Sequence, residues 1–155
     1  MFWTKLSTGA IAMAAALIAA TAPAYADAVP SPDEVVAIMA TLTDPGIPAA
    51  NKVDVVTPGF TPEEAGTVDE HLNRMAAHYL PLNFVVTDIE SAPDNLAGAT
   101  LTATGPIPIY LHTAPRPIVL ADQRGHWLIS HDSAISMLDV FYSAAIRRIA
   151  VPVIP

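Results

Sequence analysis

The chain has 155 residues, of which 52% are apolar and only 14% charged, with 15 prolines, 7 glycines and no cysteine. That length supports one domain with tails rather than two, and the apolar share is too high for disorder. The lack of cysteine excludes thiol nucleophiles, disulfide frameworks, thiolate zinc sites and a lipidated cysteine, and the formal charge of −8 offers no footprint for phosphate backbones, so nucleic acid is not an expected partner.

Residues 1–26 read as a secretory signal peptide. Lys5 supplies the positive start, Gly9 to Ala20 a short alanine-rich apolar stretch, and Ala24-Tyr25-Ala26 the small residues a signal peptidase reads, so the mature chain is expected to begin at Asp27. A membrane span needs roughly 20 strongly apolar residues, and this stretch is too short and is followed by Thr21 and Pro23. Export with cleavage is therefore expected, without a stable membrane anchor.

Ser31-Pro32-Asp33-Glu34 is a helix start, with Ser31 as cap, Pro32 in the first turn and Glu34 at the capping-box position. Val35, Ile38, Met39 and Leu42 follow at helical spacing, and Asp44-Pro45 ends the helix. From Asp44 to Gly59 five prolines and glycines surround Val53, Val55 and Val56. This stretch reads as an ordered but irregular connection packed on the body, with a helical turn near Ala49 to Val53. Thr61-Pro62-Glu63-Glu64 repeats the starting signature, and Ala65, Val68, Leu72, Met75, Ala76 and Tyr79 mark one buried face before Pro81. Glu70 and Arg74 are spaced to pair across a turn.

The period then shortens. Leu82 to Ile89 alternates, with Leu82, Phe84 and Val86 on one side and Val85 and Ile89 on the other. Gly98 to Gly105 reads as a strand whose Thr100, Thr102 and Thr104 face water. Ile107 to Thr113 and Ile118 to Ala121 are strand-like between prolines, and Asp122 to Gly125 is a four-residue turn that would set Trp127 opposite Leu120. Ser130 or Asp132 caps a last helix carrying Ile135, Leu138, Val140 and Phe141, with Arg147 and Arg148 suiting its negative end. The expected fold is α+β: two N-terminal helices and a C-terminal helix packed on a curved antiparallel sheet of about four strands. It occupies residues 27–145, with 146–155 an apolar, proline-containing tail.

The chain resembles the mycobacterial low-molecular-weight secreted antigen family, known mainly as culture-filtrate and T-cell antigens. The likeness is carried by Leu42-Thr43-Asp44-Pro45 with Pro48 and Asn51-Lys52, by Leu80-Pro81-Leu82 with Phe84, Val86 and Ile89, and by Gly125-His126-Trp127-Leu128-Ile129-Ser130 followed by Ser133-Ala134 and Leu138. It covers about Val35 to Phe141; the tail from Ile146 and the proline-rich stretch from Pro106 to Pro117 depart from the family pattern. The resemblance implies a compact α+β domain, cone-shaped like cystatin or nuclear-transport-factor folds. It also implies secretion, recognition by host immunity, and no established catalytic activity or motif to carry over.

Three sets of residues invite chemistry. Glu64, His71 and His78 form a stripe at intervals of seven on the second helix, about 10 Å of rise per interval, too far apart for one zinc without help from elsewhere. His126, His131 and His112 have no spacing that fixes a site, so no metal or cofactor is expected. Asp88 interrupts an apolar strand and, with Tyr110 and His112, is the candidate for a general base in a pocket; the alternative is that Asp88 faces water with Glu90. Ser130, Ser133 and Ser136 lack the glycines of a nucleophile elbow. Trp127 is expected in the core, and Lys52 either ties the irregular connection to a carboxylate or helix end or is solvated. Arg147 and Arg148 are too few for membrane anchoring. The leading reading is a non-catalytic secreted protein, extracellular or associated with the cell wall, that binds a cell-envelope or host immune partner. Second stands a carrier enclosing a small apolar ligand between helices and sheet, and third a pocket enzyme using Asp88 and His112.

Overall fold

Two capping boxes decide where the chain turns helical, as their sequences predict. In the computed structural model, which describes residues 28–149, the Ser31 hydroxyl accepts from the Glu34 amide at 3.1 Å while the Glu34 carboxylate accepts from the Ser31 amide. Thr61 and Glu64 repeat the exchange at 3.2 and 2.8 Å. Each satisfies amides that a helix start leaves without intrahelical partners. The first box opens α1 (Pro32–Leu42) and the second α2 (Pro62–Met75). The strands follow as β1 (Val56–Thr57), β2 (Asn83–Ala92), β3 (Leu96–Thr104), β4 (Arg116–Gln123) and β5 (His126–Ser130), and α3 (His131–Ile149) closes the described chain. The expected leader over 1–26 and the end of the expected tail lie outside the described residues. Residues 146–149, expected to open that tail, continue α3.

The sheet runs β1-β5-β4-β3-β2. It is open and mixed, not a four-stranded antiparallel sheet: β1, inside the stretch read as an irregular connection, pairs in parallel with β5 through Val56 and Ile129. Two residues are too few to show alternation, so nothing local marks them as a strand. One sheet face is continuous from edge to edge. Phe84 lies beside Ala103, Val86 beside Leu101, Ala99 beside Ile118, and Leu120 between Ala97 and Ile129. These residues form one core with Val35, Met39 and Leu42 of α1, Val68, Leu72 and Met75 of α2, and Met137, Leu138 and Phe141 of α3. Three alanines on β3 keep the middle of that face low. Its other face carries the half-exposed threonines expected to meet water, and Trp127 is buried as expected.

Three local expectations need correction. Ile89 does not face away from Phe84 and Val86 but packs against the same core. Thr87 pairs with Thr100 and Glu90 with Gly98, so Asp88 and Ile89 both oppose Ala99 in a β-bulge, and the extra residue swings Ile89 inward. Ile107 to Thr113 is not a strand. Pro106 and Pro108 remove two donors, and the segment folds into a loop closed by Gly105 N–H donating to Leu111 O and Thr113 N–H to Ala103 O, each at 2.9 Å, with Leu111 buried as its plug. A side chain at Gly105 would stand 3.3 Å from the Leu111 Cβ, which accounts for the glycine. Finally, Gln123 pairs with His126 and Trp127 with Asp122, so the hairpin loop is two residues. Arg124 (φ 58°) and Gly125 (φ 83°) are both left-handed, the twist a two-residue hairpin prefers.

The connection from α1 to β1 is organised by Lys52, on the 3-10 segment Ala49–Asp54. Its side chain is only 1% exposed, and Nζ donates to the carbonyls of Leu42 at 2.7 Å and Asp44 at 2.9 Å. Of the two roles open for Lys52, this is the tie to a helix end, made to carbonyls rather than to a carboxylate. Asp69 of α2 accepts from the Ala49 amide at 2.8 Å and fixes the start of the same segment. Burial pushes the Lys52 pKa down from 10.5 to about 8, with Asp44 and Asp69 opposing the shift, so the ammonium is retained at neutral pH. Lys52→Met keeps the stem but leaves these carbonyls without their donor, and is expected to cost about 1–3 kcal/mol. A urea midpoint equal to that of the parent chain would show that the cap contributes nothing.

Candidate functional site

The residues singled out for chemistry do not converge. Asp88 stands at the bulge of edge strand β2 with φ 53°, exposed to solvent, the water-facing alternative. Its nearest polar partner is the Thr87 hydroxyl at 3.4 Å. His112 bridges Thr104 at the far end of β3, five positions from Ala99, which Asp88 opposes. At about 3.3 Å per residue that is roughly 16 Å along the strand, so the two cannot serve one reaction centre. Tyr110 is on the exposed part of the loop before His112. Between helices and sheet, where a carrier would enclose its ligand, the buried side chains among the described residues form one cluster.

The expected stripe of Glu64, His71 and His78 does not run along one helix, because α2 ends at Met75, and its members are divided among different tasks. Glu64 meets His131 at the start of α3, with Nε2 3.0 Å from both carboxylate oxygens, while His131 Nδ1 lies 3.2 Å from the Asp132 carboxylate. The Phe60 ring tilts against this imidazole with centroids 6.0 Å apart. One turn past the middle of α2, His71 stacks on Tyr142 of α3 at 3.6 Å, nearly coplanar, and Arg74 donates to the Tyr142 hydroxyl at 3.1 Å while pairing with Glu70 at 2.9 Å. The two helices are thus joined side by side in the same chain direction. His78 packs its edge near Tyr79, and the His126 ring meets the Asp54 carbonyl at 2.9 Å. Among the described residues no group of three or more His, Asp or Glu side chains is placed to hold a metal ion.

A different set of residues gathers in a surface cleft of about 430 Å³ between α3 and the chain leading into β4. That volume falls within the range of small-molecule sites, about 300–1,000 Å³. From the β4 side come His112, Thr113 and Arg116; from α3 come Ser136, Asp139, Ser143 and Arg147, at intervals of three to four that keep them on one helix face. Local structure fixes both walls. Thr113 is buried, and its hydroxyl accepts from the Ala103 amide at 2.9 Å, which pins the loop to the end of β3. Arg116 pairs with Leu101 in register, so it sits on the helix-covered side of the sheet. At the other end of the helix, the Ser130 hydroxyl accepts from the Ser133 amide at 3.3 Å, a cap of the kind expected, and the Ser133 hydroxyl accepts from the Val119 amide at 2.9 Å. That last contact serves β4 where β5 no longer pairs with it.

The sequence marks Arg147 as a charge at a helix end or, with Arg148, at a membrane surface, and His112 as a partner for Asp88 or for His126 and His131, while nothing local singles out Arg116, Asp139 or Ser143. The available signal was the polar row Ser136, Asp139, Ser143 and Arg147, four residues on the side of α3 away from its apolar stripe.

A small α+β domain with three helices on one face of an open sheet, and a polar cleft under the last helix, is the class of protein that fold and cleft define. The chain belongs to the low molecular weight antigen MTB12 family, whose C-terminal-domain model matches residues 28–144. It is 33% identical over 117 residues to low molecular weight antigen MTB12 of Mycobacterium bovis, covering 75% of this chain and 68% of that one, with the same figures for the Mycobacterium tuberculosis protein. It is also 27% identical over 113 residues to LppK of Mycobacterium tuberculosis, a protein named as a lipoprotein, covering 70% of this chain and 58% of LppK. The resemblance expected from the sequence is thereby established. Antigen and lipoprotein relatives fit an extracellular or envelope-associated protein, and among the described residues no helix is long and apolar enough to cross a membrane.

The Glu64–His131 contact gives a defined pH dependence. Glu64 and then Asp132 hold the His131 pKa above its ordinary 6.5, a stabilisation complete below 6.5 and lost as pH rises through the raised value. The Thr61 amide and then His131 hold Glu64 below its ordinary 4.5, a contribution present above 4.5 and lost as pH falls through the depressed value. The pair therefore stabilises most between those limits. The gap in urea midpoint between the parent chain and Glu64→Gln is expected to be widest near pH 5.5 (about midway) and to narrow as pH rises through the raised His131 value. A gap independent of pH would rule out the ion pair as its source.

Proposed function

We propose that the chain is exported and acts outside the cytoplasm as a non-catalytic binding protein, with the cleft beneath α3 as its ligand site. The observation that carries this reading is the concentration of polar groups in that cleft: Arg116, Arg147, Ser136, Ser143 and Asp139 have no hydrogen-bond or ion-pair partner among the described residues. Polar side chains that join one element to another are engaged by contrast, as in the Lys52 cap and the contacts joining α2 to α3. Groups left open on a wall held by Thr113 and Ser133 are arranged for a molecule that arrives rather than for the fold. The names of the relatives, antigens and a lipoprotein, agree with a binding role at the cell surface and with encounter by a host immune system. The separation of Asp88 from His112 removes the constellation on which the enzyme reading stood.

Two measurements test the reading. Intact-mass analysis of protein recovered from the culture medium or envelope of an actinobacterial host is expected to show a chain starting at Asp27; a chain retaining Met1 in the cytoplasm would overturn export. Nitrogen-15 NMR of the mature chain against a mixed fragment library is expected to give shifts clustered at residues 112–116 and 136–147. Clustering instead at the apolar cleft formed by Ala40, Thr43, Ala76 and Leu80 to Leu82 would move the site.

A further inference from the structure

We infer that the cleft beneath α3 takes the phosphate ester of a small polyol, its phosphate held between Arg116 and Arg147 and its hydroxyl groups met by Ser136, Ser143 and Asp139. The inference rests on the cleft being a binding site, and it names the chemistry. Cations are scarce in this chain, with 7 Lys and Arg against 15 Asp and Glu. Most of those whose side chains are described are placed for other tasks. Lys52 is consumed by helix carbonyls and Arg74 by Glu70 and Tyr142, while Arg124 stands on the hairpin turn at the other end of β4 from Arg116, outside the cleft. The remaining two, Arg116 and Arg147, come from positions 31 apart in sequence to line one cleft, with His112 beside them. Asp139 lines the same cleft, yet no ion pair joins it to either arginine.

Two guanidiniums match the charge of a phosphate ester better than the single charge of a carboxylate, and their planar forks donate to phosphate oxygens two at a time. The carboxylate of Asp139 would repel a bare anion but accepts a hydrogen bond from a ligand hydroxyl, so it selects for an anion carried on a hydroxylated body. Ser136 and Ser143 add donors and acceptors along the same helix face, and Ala114, Val140 and Ala144 leave a modest apolar floor. The phosphate ester could be free in solution or be the headgroup of a lipid; the recognition chemistry is the same.

The test uses the processed full chain and sn-glycerol 3-phosphate as probe, followed by nitrogen-15 NMR. Saturable shifts are expected at residues 112–116 and 136–147, with none from glycerol, and Arg116→Gln or Arg147→Gln is expected to weaken binding about tenfold or more. Arg116→Lys, which keeps the charge but loses the fork, should weaken it less. Thermal melts of each variant separate lost binding from lost fold, since both arginines are exposed. A second arm sediments the chain with phosphatidylglycerol or phosphatidylcholine vesicles. Arginine-dependent retention on the first alone assigns the phosphate to a lipid headgroup, and probe binding without vesicle retention assigns it to a soluble ester. If the probe leaves the cleft unshifted while fragments of other chemistry bind there, the phosphate assignment is wrong and the binding site stands. If nothing binds there, both readings fall. Equal probe binding by the arginine variants also overturns the assignment.

Discussion

The Lys52 ammonium is fully enclosed, with its three hydrogens confined to a space where two helix-end carbonyls face it and two carboxylates, Asp44 and Asp69, lie near. Removing an ammonium from water is expensive and is tolerated only where such partners are fixed in advance. Here they are, because α1 ends at Leu42 and the Asp44 side chain turns back to accept from the Gly46 amide at 2.8 Å. The bond runs in both directions: α1 supplies the carbonyls, and the lysine holds the segment that follows. That segment delivers Val55 and Val56 to the sheet, where the Val55 carbonyl accepts from the Ile129 amide at 2.7 Å. With β1 in place, β5 is paired on both sides and the core gains its outermost row. A chain with no disulfide thus closes the long connection between α1 and the sheet with one cation.

Polar groups elsewhere divide into those that hold elements together and those that hold nothing. Glu64 with His131, and His71 and Arg74 with Tyr142, join α2 to α3 along one flank. The other flank of α3, around Ser136, Asp139, Ser143 and Arg147, has no such partners among the described residues and faces a cleft instead. A single helix therefore serves as strut on one side and as wall of an open cleft on the other. Its apolar stripe, from Ala134 to Ala145, fixes it to the core between the two.

What the sequence discloses follows the range of the interactions. Both capping boxes are written within four residues each, and both form. The buried face of α2 is legible because each residue on it repeats a single period. The prolines mark breaks, yet their effect on Ile107 to Thr113 is to fold the segment into a loop rather than to shorten a strand. The bulge at Asp88 was invisible because a bulge is defined by the partner strand: nothing in Thr87-Asp88-Ile89 announces that two residues will oppose Ala99. The same holds for β1, which exists only because β5 lies alongside. The cleft was least legible of all, assembled from a loop at 112–116 and a helix face reaching Arg147, whose proximity is set by packing alone.

The irregularity in β2 has a bearing on how copies of the protein behave when crowded together. β2 is the outer strand on one side of the sheet, and its unpaired amides and carbonyls would suit a second molecule as a template for stacking. The kink at Asp88 interrupts that row midway, and the carboxylates of Asp88 and Glu90, both exposed, add repulsion between like edges. On the opposite border, β1 is only two residues long and gives a neighbour little to grip. An apolar, weakly charged chain thereby blunts both of its open borders, which favours remaining dispersed over growing into fibrils.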